Sequence, residues 1–99
     1  MEILNAIAKV RFNSARPQRV QLHKTPGVIC DLLCLEPKQE LPTTGKCAYY
    51  VVAGTGLLKA GRHSQQLSLG NFATTDQDEH HIIFNSSEQR LICLAISAA

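Results

Sequence analysis

A chain of 99 residues, 44% hydrophobic and 18% charged, has the make-up of a globular protein with room for one hydrophobic core. Its formal net charge of +2 is too small to imply a polyanionic partner, so the basic residues toward the front (Lys9, Arg11, Arg16, Arg19, Lys24) read as a solvated arm and no nucleic-acid partner is expected. No apolar run approaches the roughly 20 residues of a membrane helix, so no membrane span is expected either.

At the front, "EILNAIAKV" (2–10) carries Ile3, Leu4, Ile7 and Ala8 at helical spacing, which predicts a short helix or a loose arm over residues 1–18. From there on the pattern is that of strands. "RVQLHK" (19–24) alternates, "GVICDLLCL" (27–35) is nearly continuous apolar sequence, and "CAYYVVA" (47–53) is aromatic and β-branched. "TGLLKA" (55–60), "SQQLSL" (64–69), "NFATT" (71–75), "EHHIIFN" (79–85) and "QRLICLAIS" (89–97) follow, separated by Gly-rich or polar turns. About eight short strands in a single domain of residues 1–99, with the strands over 19–97, predict an all-β fold, a small antiparallel β-barrel or jelly roll.

"LICLAI" (91–96) is apolar on both faces: Leu91, Cys93 and Ala95 fall on one side, Ile92, Leu94 and Ile96 on the other. "VICDLLCL" is similar, with Asp31 its sole charge. Either the N-terminal segment or a second subunit must cover the outer side, and a homodimer is the expected solution. Cys30, Cys34 and Cys93 sit in apolar runs, where a thiol behaves as a small hydrophobe. Met1-Glu2-Ile3 starts no basic, then apolar, leader. Free thiols and a cytoplasmic location are therefore expected.

"GNFATTDQDEHHIIFN" (70–85) carries a resemblance. Five residues separate Gly70 from Asp76, one separates Asp76 from Asp78, two separate Asp78 from His81 and three separate His81 from Asn85. This is the frame of the second signature of the cupins, with aspartates where that family has proline and glycine. The first signature, counted back from Gly54, puts Cys47 at the family's glutamate. A four-residue gap before it puts Glu40 and Pro42 at the two histidines; a three-residue gap puts Leu41 and Thr43 there.

The resemblance covers most of residues 19–97 and implies a double-stranded β-helix. In typical cupins the positions matched by Glu40, Pro42, Cys47 and His81 hold a divalent metal. Proline has no donor atom, and the longer gap leaves one oxygen, one sulfur and one nitrogen; the shorter gap removes Glu40. Neither metal nor cofactor is expected. Asp76 and Asp78 are expected to form the turn through their side chains. His80, adjacent to His81, must face the other way. Tyr49 shares the inward face of Cys47 and lines the same interior.

The sequence therefore points away from catalysis and toward a barrel that binds a small molecule without metal. Its interior would be lined by His81, Cys47, Tyr49 and Glu40. The alternative is a metal-dependent enzyme of dioxygenase or isomerase type, with an atypical site made of Glu40, Cys47 and His81.

Overall fold

The structure, a computed structural model, describes residues 1–99. Nine strands follow one short 3-10 turn: β1 (Gln18–Lys24), β2 (Val28–Leu35), β3 (Glu40–Thr44), β4 (Cys47–Ala53), β5 (Gly56–Ala60), β6 (His63–Leu67), β7 (Phe72–Thr74), β8 (His80–Phe84) and β9 (Leu91–Ala98). The strand missing from the expected set is β3. Pro42 breaks its pattern, yet β3 lies at the edge of its sheet, where a residue without an N–H is tolerated.

Two antiparallel sheets enclose the core. One has the order β1-β2-β9-β4-β7 and the other β3-β8-β5-β6. Strand alternation gives each sheet an inward row. In the larger sheet Leu33 pairs with Cys93 and Cys93 with Val51; in the smaller one Leu41 pairs with Ile83 and Ile83 with Leu58. These side chains and their neighbours form a single cluster that includes Leu35, Leu67 and Leu91.

Two turn positions fix how the strands meet. Gly54 has φ +86°, and a Cβ there would run into the backbone carbonyl of Arg90, so only glycine lets the end of β4 pass the start of β9. Asp78 adopts φ 68°, which asparagine and aspartate tolerate better than most side chains. The turn is closed by Glu79 rather than by the aspartate side chains: the Asp76 N–H donates to Glu79 Oε1 at 2.9 Å.

Of the two forms expected for the front segment, a short helix or a loose arm, only one 3-10 turn at Ile7–Lys9 is helical; it has no side-chain cap and buries none of its residues. The segment serves as a cover instead. Leu32 and Cys34 belong to the outward row of β2, paired with Leu94 and Ile92, and are nevertheless fully buried. The Arg11 backbone reaches the Cys34 thiol, Asn13 accepts a hydrogen bond from Gln39 Nε2, and Phe12 lies beneath the Arg90 guanidinium. Farther along the same outer face the cover ends: Val28, Tyr50, Phe72 and Ile96 are exposed.

Candidate functional site

Polar side chains of the interior gather at one end of it. His81 on β8 pairs across the sheet with Thr43 on β3, and Tyr49 on β4 with Ala95 on β9, which in turn pairs with Asp31 on β2. Arg19 of β1, Thr43, Cys47, Tyr49 and Ala95 line a cavity of about 440 Å³, with His81 held behind Tyr49 and Asp31 behind Arg19 by hydrogen bonds. The opposite end is closed by Asn85, which is fully buried. Its Nδ2 donates to the carbonyls of Leu35 and Gln89, and its Oδ1 accepts from the backbone and hydroxyl of Ser87. The asparagine of the cupin frame is here a structural clamp.

His81 is 2% exposed and Tyr49 is 1% exposed. His81 Nδ1 lies 3.1 Å from the Glu79 carbonyl oxygen, which can only accept, so the ring carries its proton on Nδ1. Nε2 is then left with its lone pair, which accepts from the Tyr49 hydroxyl at 2.6 Å. The two rings meet edge to face with centroids 5.5 Å apart. Burial, followed by the neighbouring Cys47, pushes the Tyr49 hydroxyl well above the ordinary tyrosine value, so the phenol keeps its proton.

Cys47 is held at the start of β4 by Thr75, whose hydroxyl accepts from the Cys47 N–H at 3.0 Å and donates to the Gly45 carbonyl at 2.7 Å. It faces the same cavity. Both ring nitrogens of His81 are already engaged, so the imidazole has no free lone pair with which to deprotonate this thiol.

Three of the four residues expected in the interior thus come together: His81, Cys47 and Tyr49. Glu40 does not join them. It pairs with Phe84 on the outward row of the smaller sheet and is exposed, as is Pro42. The shorter of the two gaps is the one the fold uses, which puts Leu41 and Thr43 inside. His80 faces out, with Nδ1 2.7 Å from the Thr44 hydroxyl, while His23 and His63 are exposed.

Sequence reasoning missed the ion pair at the mouth. Arg19 Nη1 lies 3.1 Å from Asp31 Oδ2, and Arg19 Nη2 donates to Thr43 Oγ1 at 3.2 Å. The signal was present: an aspartate in an otherwise apolar strand needs a partner, and β1 is the hairpin neighbour of β2.

A divalent metal of the kind held by typical cupins does not fit these residues. The matching positions are Leu41, Thr43, Cys47 and His81: one is a hydrocarbon, and the imidazole lone pair is committed to Tyr49. No three His, Cys, Asp or Glu side chains converge anywhere in the fold.

As a sequence, the chain matches no family profile and no curated protein. In three dimensions it is similar to many solved structures. A Thermus thermophilus protein superposes with a TM-score of 0.93 at 22% identity, covering 99% of this chain and 97% of that one. A Klebsiella pneumoniae protein, described as an uncharacterized conserved protein with a double-stranded β-helix domain, gives 0.91 at 20% identity over 99% of this chain and 90% of that one. An RmlC-like cupin from Desulfovibrio desulfuricans gives 0.79 at 18% identity, covering 96% and 95%. Two facing antiparallel sheets, the glycine and asparagine frame and these superpositions lead to one conclusion: the chain has the cupin fold, a double-stranded β-helix.

Proposed function

We propose that this protein is a non-catalytic cupin barrel that binds a small molecule, without a metal, in the cavity lined by Tyr49, Cys47 and Thr43 and backed by His81. One observation carries the reading: the imidazole that would be a metal ligand spends its lone pair on a buried phenol. The cavity offers what small-molecule sites use, an apolar wall with a few fixed polar groups. The metal-dependent alternative requires Glu40 beside His81, and Glu40 lies on the outer surface.

The same reading includes a homodimer, with the uncovered outer row of Val28, Tyr50 and Ile96 as its contact. It also places the chain in a reducing cytoplasm, consistent with four free thiols. No helix is long and apolar enough to cross a membrane.

Protein purified without a histidine tag tests the central claim. Elemental analysis is expected to find Fe, Ni, Mn and Zn well below one per chain, and native mass spectrometry to find an organic adduct. A stoichiometric metal that disappears in His81→Ala would overturn it.

A further inference from the structure

The charge around the cavity defines the class of ligand. Arg19 and Lys46 both line it, and no carboxylate does. Asp31 pairs with Arg19 from β2 without lining the cavity, so it offsets one of the two positive charges and leaves the other. Of the five guanidinium N–H groups of Arg19, one is used by Asp31 and one by Thr43, which leaves others to donate. Lys46 is exposed and forms no ion pair. Tyr49, Cys47 and Ala95 supply an apolar wall, and the Tyr49 O–H already donates its hydrogen bond to His81.

Such a site is rich in cationic donors and has a hydrocarbon side, a poor match for a cation or for a purely inorganic ion. We infer that the cavity takes a small organic carboxylate, its carboxyl group on the side of Arg19 and Lys46 and its carbon body against Tyr49 and Ala95. The inference rests on the small-molecule reading above and adds the chemistry of the ligand.

Benzoate, lactate and succinate, each beside its uncharged amide, and inorganic phosphate serve as probes. They are titrated into the full chain, with amide NMR shifts of Thr43, Tyr49 and Ala95 as the readout. At least one acid is expected to shift these residues, with its amide roughly tenfold weaker or silent. Lys46→Met, a change at an exposed rim position, is expected to weaken the acid by roughly fivefold, the size of a partly exposed charge pair. Raising the salt is expected to weaken the acid and leave any amide binding alone.

If amides bind as tightly as acids, or if Lys46→Met changes nothing, the carboxylate assignment is wrong while the binding barrel stands. Phosphate binding as tightly as the best acid would remove the organic part of the assignment. Silence from every probe at these residues would count against both readings.

Discussion

The Tyr49 hydroxyl and His81 Nε2 lie 2.6 Å apart in the buried interior, joined across 32 positions of sequence. Both groups are almost fully buried, so removing one takes from the other its closest polar partner. Tyr49→Phe is expected to cost about 1–3 kcal/mol in urea unfolding, the usual penalty for a buried polar atom left unpaired. His81→Leu should cost a similar amount, and the double variant less than the sum of the two. Strict additivity in that cycle would show that the contact contributes nothing.

Asn85 makes the larger structural contribution, because its amide serves Leu35, Gln89 and Ser87 at once. Asn85→Ala should destabilise the fold by about 2–4 kcal/mol through orphaned carbonyls and a cavity. Asn85→Asp should fare no better, since a carboxylate cannot donate to the two carbonyls. Thermal unfolding of both variants, with Ser87→Ala as the milder control, checks this.

The protein should be less stable at alkaline than at neutral pH. Burial, with a smaller effect from Cys34, pushes the Cys93 thiol from 9.0 to about 12, and Tyr49 moves in the same direction. Both groups hold their protons more tightly when folded than when unfolded. Their contribution is therefore complete below the unfolded values and declines as pH rises past 9 toward 12. Unfolding midpoints between pH 7 and 11 should fall, and Cys93→Ala should flatten part of that fall; a stability that rises over this range contradicts the account.

The outer row of the larger sheet predicts an assembly. Tyr50 and Ile96 are 45% and 40% exposed, and Val28 and Phe72 add to the patch. Sedimentation equilibrium should give a dimer, and Ile96→Arg a monomer with an unchanged circular dichroism spectrum. A monomeric wild type at micromolar concentration rules this out.

Much of the fold could be read from residue order because its turns are chemically marked. Gly54, Gly70 and Asn85 stand where the backbone has a positive φ or where buried carbonyls need donors, and alternation placed Cys47, Tyr49 and His81 on inward rows. Glu40 was misplaced for a physical reason: the length of the turn before Cys47 is not encoded locally, and moving the register by one residue exchanges every inward side chain for an outward one. The Arg19–Asp31 pair depends on the register of β1 on β2, which sets Arg19 opposite Leu33 and so diagonal to Asp31, and that register is not written in either strand alone. The front segment carries helical spacing, yet its cover of Leu32 and Cys34 decides its shape.

The central place of β9 in its sheet has a consequence for biosynthesis. Its partners β2 and β4 flank it on either side and make no ladder with one another, so neither is complete until the polypeptide has been made through Ala98. Until that point the apolar edges of both strands are open on the nascent chain. The sheet can then close only through contacts far apart in sequence, a topology that folds slowly.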